Sequence, residues 1–309
     1  GVVVGVLFSK DASGSTIVDA FVYQNGQTSL LPRVGGRSYA DAVNAAGTIA
    51  GSSIGQATTQ SQAVKWENGQ GVILPGFGGD SAAYSINDKG DLAGSATVSA
   101  NGANWTHAVA WINGAVTDLG TLGGDSSEAS SINASGQIAG ASGTKKGAGS
   151  LLLDDTAHAF LWANGAMTDL GTLGGDSSSA TALNDKGQVV GWSGTTKGGG
   201  ALAFDPSARA FVWDSGQMVN LGGLPGGSIS SAAAINNNGV IVGYAIDAQN
   251  QQRAVIWQNG EIVDLNTLIP ANSGLTLSAA YDINDAGQIV CGATTTNGDF
   301  TGVILTLAS

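Results

Sequence analysis

A short turn signature recurs along the chain at intervals that indicate a repeat architecture. Six asparagines are each followed three residues later by glycine, with spacings of 43 to 52 residues: Asn44, Asn87, Asn133, Asn184, Asn236 and Asn284. Asparagine and glycine both favour tight turns, and glycine accepts a positive φ at no steric cost. The spacing matches propeller blades and exceeds that of leucine-rich or ankyrin repeats. The chain is therefore predicted to be a series of similar units, none of which buries its faces alone.

The best-preserved unit predicts four short strands and no helix. It reads HAFLWANGAMTDLGTLGGDSSSATALNDKGQVVG, in which Asn164-Gly165 is typical of a two-residue hairpin turn. No window shows an extended apolar period of 3.6 residues, so we expect essentially no α-helix. In chain order the strands are named third (His158–Trp162), outer (Met167–Leu170), inner (Ala180–Asn184) and second (Gln188–Gly191).

Counting these segments predicts an incomplete first and last unit. The chain supplies seven second and seven third strands, but six inner and six outer ones. Seven blades leave the first blade without its inner strand and the last without its outer strand. Six blades, the alternative, leave a surplus hairpin. We predict an all-β fold, one β-propeller domain over 1–309 built from four-stranded antiparallel blades, with seven blades favoured.

The repeat resembles a known bacterial family. HAFLWANGAMTDLGTLGG followed by S-x-A-x-x-(I/L)-N-x-x-G-Q-x-x-G is similar to the extracellular repeat called HAF, most specifically at His158 to Gly191 and His107 to Gly140. The first copy matches less well, and the last lacks the glycine pair and the tryptophan. The resemblance implies a secreted or surface-displayed bacterial protein, and it brings no established activity or catalytic residues.

Composition narrows the classes of partner. The net charge of −12 argues against nucleic acid or an anionic membrane surface as the main partner. No apolar run reaches the roughly 18 residues of a membrane span, so membrane insertion is not expected.

The sequence opens at Gly1 without a methionine or signal segment, which indicates a processed or trimmed chain. The single cysteine, Cys291, excludes an intrachain disulfide and is predicted to be a buried thiol.

Tryptophan and aspartate recur at fixed positions of the repeat, where either could be a functional residue. Their regular recurrence favours a structural role. Five tryptophans recur in the third strand, where a ring in every unit favours packing between blades over a sugar-binding row: Trp66, Trp111, Trp162, Trp213 and Trp257. Asp80, Asp125 and Asp176 each follow a glycine pair. One carboxylate per turn is too few for a calcium site, and aspartate is ordinary in turns. No metal or cofactor is predicted, and calcium at these aspartates stays the alternative.

Two long and similar links between second and third strands are the candidate binding surface. They are Ser142–Ala157 and Ser193–Ala208, in neighbouring units. Variable loops on a rigid scaffold often carry binding residues. With two tryptophans nearby, the predicted ligand-binding residues are Trp105, Lys145, Lys146, Asp154, Asp155, Trp192, Lys197 and Asp205. In the alternative, the two loops pack on each other and their charges are simply solvated.

Three hypotheses for function follow. The favoured one is a non-catalytic binding or adhesion module for a glycan or a protein, outside the cell or on the bacterial surface. The second is a structural subunit that self-assembles into filaments by strand complementation, through an assembly seam at Val2, Val3, Val4, Val6 and Leu7. The third is a glycan-active hydrolase or lyase, which two converging carboxylates would support.

Overall fold

The chain consists of antiparallel sheets joined by short turns. A computed structural model describes residues 1–55, 59–100, 102–199 and 205–307. Within these ranges the helical segments are two 3₁₀ turns, Leu151–Leu153 and Leu265–Thr267. Neither is long and apolar enough to cross a membrane. The contacts divide the chain into two compact units. The first comprises Gly1–Ile138, Ser142–Leu151 and Trp162–Met167, and the second comprises Ala139–Ala141, Leu152–Leu161 and Thr168–Ser309.

The first unit contains three whole sheets. Sheet 1 has three strands, β1 (Val2–Lys10), β2 (Thr16–Gln24) and β3 (Gln27–Leu30). Sheet 2 has β4 (Arg37–Val43), β5 (Ile49–Ile54), β6 (Ser61–Glu67) and β7 (Gln70–Ile73). Sheet 3 has β8 (Ser81–Ile86), β9 (Leu92–Ala100), β10 (Ala103–Ile112) and β11 (Ala115–Asp118).

Sheet 4 contributes residues to both units. Its strands are β12 (Ser127–Ile132), β13 (Ile138–Gly143), β14 (Ala157–Ala163) and β15 (Ala166–Asp169).

The second unit contains the remaining three sheets. Sheet 5 has β16 (Ser178–Leu183), β17 (Val189–Ser193), β18 (Arg209–Asp214) and β19 (Gln217–Gly222). Sheet 6 has β20 (Ser230–Ile235), β21 (Ile241–Ile246), β22 (Gln252–Gln258) and β23 (Glu261–Asp264). Sheet 7 has three strands, β24 (Leu275–Ile283), β25 (Gln288–Thr295) and β26 (Phe300–Thr306).

The predicted strand count is confirmed. In every complete sheet the strands are ordered inner, second, third and outer. Sheet 1 begins with a second strand, β1, so it lacks an inner strand. Sheet 7 ends with a third strand, β26, so it lacks an outer strand. Seven sheets, with the first and last incomplete, were the favoured interpretation, and six is excluded.

Backbone conformation explains why asparagine and glycine recur at the turns of the repeat. Each turn between third and outer strands has two successive residues at positive φ, as a type I′ hairpin requires. The first of the two has φ between 50° and 55° at Asn25, Asn68, Asn113, Asn164, Ser215 and Asn259. At the crossing between sheets, a Cβ on Gly175 would lie 2.4 Å from the carbonyl carbon of Gly194. The second glycine of the pair is therefore required by close approach of the backbone, and the first, Gly174, by its φ of 110°.

The core consists of apolar layers between consecutive sheets. Trp66, Trp111 and Trp257 are 1–3% exposed and pack with side chains of the preceding sheet. The indole Nε1 of Trp66 donates to the carbonyl of Pro32 at 2.9 Å, and that of Trp111 to Pro75 at 2.7 Å. The core prediction is thus confirmed for these three. Trp162 and Trp213 are half-buried, so the core prediction overstated the burial of these two side chains.

Candidate functional site at the open edge of the first sheet

The second strand of sheet 1 is uncovered. In sheet 2 the equivalent strand, β5, lies between an inner and a third strand, and five of its six residues are buried. In sheet 1 no residue of β1 is buried, and Leu7 and Phe8 are 45% and 67% exposed. All five residues of the predicted assembly seam, Val2 to Val4, Val6 and Leu7, lie on this strand. The difference between β1 and β5 follows from the missing inner strand.

The backbone of β1 has one partner strand. It pairs antiparallel with β2 from Val2 opposite Gln24 to Lys10 opposite Thr16. In an antiparallel pair, successive residues direct their N–H and C=O groups alternately toward and away from the partner. About half of the backbone groups of β1 therefore point to its free edge, where another strand can pair.

A cavity of about 380 Å³ lies beside the beginning of β1, between sheets 1 and 2. Its apolar wall comes from both sheets and the segment after β3, and its polar groups come from strand ends and turns. The lining residues are Val2, Val22, Gln24, Leu31, Pro32, Ala45, Ala46, Gly47, Ile49, Trp66, Glu67, Asn68 and Gly69. The volume is within the range of about 300–1,000 Å³ that is usual for ligand pockets.

The turns between inner and second strands are linked from sheet to sheet by asparagine side chains. In four turns the asparagine Nδ2 donates to the backbone carbonyl of the asparagine in the next turn. These bonds run from Asn44 to Asn87, Asn87 to Asn133, Asn184 to Asn236 and Asn236 to Asn284, at 3.1–3.2 Å. Each carbonyl that receives such a bond also accepts the glycine N–H of its own turn. We call this series the asparagine ladder.

The ladder within the first unit begins at the cavity. The carbonyl of Asn44 accepts the Gly47 N–H of its own turn, and no side chain from another turn donates to it among the described residues. Asn44 is half-buried, whereas Asn87 is 5% exposed. In complete sheets the ladder turn directly precedes the second strand. The cavity therefore lies where a turn preceding Val2 would be.

The predicted rim residues of the first unit lie on its surface. Trp105 is half-buried on β10, opposite Val98 of β9. Lys145 and Lys146 are exposed in the link after β13. In the second unit, Trp192 is half-buried on β17, opposite Ser179 and Ala210, and Asp155 is exposed. The role of these residues in binding stays a prediction.

Three rim residues of the second unit have hydrogen-bond partners within that unit, and two of them bond inside their own loops. Asp154 is 2% exposed and accepts hydrogen bonds from the N–H and hydroxyl of Thr156, both at 2.8 Å. Asp205 is 4% exposed and accepts the corresponding pair from Ser207 at 2.7 Å. Lys197 donates to the carbonyl of Gly175 at 2.8 Å. Residues 200–204 of the second link lie outside the described residues.

The aspartates after the glycine pairs anchor the links between second and third strands. Asp80 accepts the Ser61 N–H at 2.8 Å, and Asp125 accepts the Gly147 N–H at 2.6 Å. Asp176 accepts the Gly198 N–H and forms an ion pair with Lys197 at 3.2 Å. Among the described residues, no group of three or more His, Cys, Asp or Glu side chains could hold a metal ion.

Histidine and aspartate of the repeat motif form a pair within each unit. His107 Nδ1 lies 3.0 Å from a carboxylate oxygen of Asp118, and His158 Nδ1 lies 2.9 Å from one of Asp169. The hydrogen bond with Asp118 raises the pKa of His107, against the effect of burial. The pairs join the third strand to the outer strand.

Inner strands of the first unit carry carboxylates close to one phenol. Desolvation raises the pKa of Asp41 to about 6, although the side chain keeps contact with solvent. Desolvation also raises the pKa of Glu128. The pKa of Tyr84 is raised to about 12, mainly by desolvation and further by the charges of Glu128 and Asp41. The glycan-active enzyme of the sequence analysis stays a prediction.

Sequence reasoning located the open strand and missed the cavity. Gln24, Glu67 and Asn68 belong to hairpin ends. Ala45 and Ala46 belong to a turn, and the sequence predicts only that a turn forms there. The sequence signal for the cavity was the strand count, which assigns no inner strand to sheet 1. In complete sheets the inner strand is followed by the turn that precedes the second strand, and sheet 1 has no such turn among the described residues.

No protein-family model matches the sequence, and no curated protein is significantly similar to it. Among solved structures, the chain is similar to the β-propeller domain of the Trilobed protease from Pyrococcus furiosus, which has an open velcro topology. The TM-score is 0.61 at 10% identity, over 100% of this chain and 92% of that domain. The likeness shows the fold, and the predicted β-propeller is confirmed.

Two further likenesses are weaker. TolB from Acinetobacter baumannii gives a TM-score of 0.44 at 12% identity, over 98% of this chain and 63% of TolB. A point mutant of the Aleuria aurantia lectin, in complex with α-methyl-L-fucoside, gives 0.40 at 11% identity, over 97% of this chain and 86% of the lectin. Scores this low carry no argument about function.

Proposed function

We propose that this β-propeller is a binding module whose ligand is an extended polypeptide segment that pairs with β1 as a fourth strand. The observation that carries the proposal is the exposure of β1, a second strand of the type that is buried wherever an inner strand covers it. Strand addition to a free sheet edge is a recurrent mode of peptide recognition. Backbone hydrogen bonds supply affinity, and side-chain pockets beside the edge supply specificity.

A polypeptide fits this edge better than a glycan does. The free edge presents N–H and C=O groups at the spacing of a strand, and apolar Val2, Val3, Val4 and Val6 flank them. These features match another strand. Sugar recognition usually relies on an exposed aromatic face, whereas Trp105 and Trp192 are half-buried within strands. A glycan ligand is therefore the alternative.

The location belongs to the same proposal. The resemblance of the repeats to the HAF family supports a secreted or surface-displayed bacterial protein. There, binding of a partner by strand addition would serve adhesion. The proposal involves no cofactor.

A structural role is the second candidate, because a second sheet is incomplete. Sheet 7 lacks an outer strand, and its last strand exposes 69% of Phe300 and 44% of Ile304. If strands are exchanged between molecules, the contact joins different surfaces and need not close on itself, which yields filaments. Light scattering during size exclusion tests this: mass that rises with protein concentration supports assembly, and a monomer at every concentration refutes it.

The binding experiment uses a peptide taken from the chain itself. A synthetic peptide of residues 178–187, SSATALNDKG, contains an inner strand and its turn. It is titrated into the 309-residue protein by calorimetry, with a scrambled peptide as control. The backbone nitrogens of residues 179–183 are then methylated one at a time, because N-methylation removes a ladder donor and leaves the side chain unchanged.

The expected result is saturable one-to-one binding that N-methylation weakens only at residues whose N–H groups face the partner strand. In β16 this alternation is interrupted by the register shift between Ala180 and Ala182, and the same interruption is expected in the bound peptide. Equal binding of the scrambled peptide, or equal losses at all five positions, would refute strand addition. Saturable binding of a glycan in place of the peptide would favour the alternative.

A further inference from the structure

The turns of the asparagine ladder interlock through two residues each. The side chain of the residue after the asparagine accepts the N–H of the corresponding residue in the preceding turn. Asp88 accepts from Ala45 at 2.9 Å, Asn237 from Asp185 at 2.9 Å and Asp285 from Asn237 at 2.7 Å. The turns at Asn87, Asn236 and Asn284 therefore each present a carbonyl and a side-chain acceptor to the turn before them. The turn at Asn133 has Ala134 at the second position and presents the carbonyl alone.

The turn at Asn44 presents only half of this arrangement. Its carbonyl has room for a ladder bond, and its side-chain position is an exposed alanine, Ala45, which cannot accept. Ala45, Ala46 and Gly47 line the cavity beside Val2. At Asn87, by contrast, the same surface of the turn is covered by the turn of sheet 2.

We infer that the cavity between sheets 1 and 2 receives an Asn-x-x-Gly turn at the end of the partner strand, so that the partner must carry asparagine directly after the segment that pairs with β1. The inference rests on the proposed strand addition and specifies its partner as a polypeptide segment of the repeat's own inner-strand type. That occupant is chosen because the same interface recurs between turns of this chain.

The asparagine supplies an acceptor and a donor from one short side chain. In the chain's own turns, Oδ1 accepts N–H groups within the turn, as Asn236 does from Asn238 at 3.0 Å and Val240 at 2.9 Å. Nδ2 donates to the next turn. In the bound partner, Oδ1 would shape the turn and Nδ2 would donate to the carbonyl of Asn44. Aspartate keeps the acceptor and loses the donor, so it isolates the ladder bond.

Ala45 provides a test in the direction of tighter binding. Asn237, at the equivalent position, accepts the Asp185 N–H through Oδ1 and donates to the Asp185 carboxylate through Nδ2, both at 2.9 Å. Ala45→Asn would offer both bonds to a partner that carries Asn184-Asp185. The substitution is on an exposed turn, and asparagine avoids placing a second carboxylate beside Asp88.

The experiment compares three peptides and two protein variants by calorimetry. The peptides are 178–187, the same peptide with Asn184→Asp, and 178–183, which has the strand without the turn. The variants are Ala45→Asn and its control Ala134→Asn, an exposed position of the same type on the turn whose carbonyl already accepts from Asn87. Loss of one or two hydrogen bonds corresponds to about tenfold in affinity.

We expect 178–187 to bind at least about tenfold more tightly than either other peptide. Ala45→Asn should tighten the binding of 178–187 by about tenfold, and Ala134→Asn should leave it unchanged. Equal affinity of all three peptides, or no tightening by Ala45→Asn, would overturn the inference that the cavity receives the partner's turn. The proposed strand addition would still stand. Failure of every peptide to bind would overturn both.

Discussion

Replacing the turn asparagine Asn236 by alanine should destabilise the protein far more than the same change at Asn284, one turn along. The Asn236 side chain is 5% exposed and makes three hydrogen bonds, two within its turn and one to the carbonyl of Asn284. Each is worth about 1 kcal/mol net, so Asn236→Ala should cost about 3 kcal/mol in the free energy of unfolding.

Asn284 is a matched control because its own turn has the same form. Its Oδ1 accepts the Gln288 N–H and its Nδ2 donates to the Gln288 side chain, both at 2.9 Å. The side chain is exposed, so water replaces these bonds on substitution, and Asn284→Ala should cost less than about 1 kcal/mol.

Scanning calorimetry measures the difference. At roughly 2–4 °C per kcal/mol for a large domain, Asn236→Ala should lower the melting temperature by about 6–12 °C and Asn284→Ala by at most a few degrees. Equal losses in the two variants would show that the asparagines act only within their own turns. The ladder would then contribute nothing between sheets.

Three further predictions concern the core and its charges. Trp66→Ala should cost about 3–5 kcal/mol in unfolding free energy by urea denaturation, and half-buried Trp213→Ala distinctly less; equal costs would contradict the burial difference. Cys291 is 0% exposed and burial raises its pKa to about 12, so a thiol reagent should label it only on unfolding; rapid labelling of the folded protein would contradict this. Because the folded pKa of Asp41 is about 6 against 3.8 ordinarily, the folded state binds more protons and stability falls as pH rises between these values. Asp41→Asn should flatten this slope in urea titrations from pH 4 to 7, and an unchanged slope would refute the assignment.

The strand order could be predicted because each strand carries a local signal. Asn164-Gly165 marks one turn, Asn184 to Gly187 marks another, and the alternating segments between them fix four strands per unit. Repetition then averages out the errors of any single copy. The incomplete first and last sheets followed from counting alone.

Burial of individual side chains was less accessible, because it depends on segments distant in sequence. The ring of Trp66 is held by the carbonyl of Pro32, 34 residues earlier. Asp154 and Asp205 have the composition of solvated loop residues, and the structure buries both beneath turns that they cap. The cavity could not be found from composition, because its lining comes from strand ends and turns of two sheets that meet only in the fold.

The most direct test of strand addition is amide hydrogen exchange of β1, resolved by residue, with and without the 178–187 peptide. The account predicts that the peptide slows exchange at alternate residues between Val2 and Leu7, namely those whose N–H groups face the free edge, and at the Asn44 turn beside the cavity. It predicts no change along β26. Unchanged exchange in β1 when the peptide is bound, or protection confined to another surface, would contradict the account.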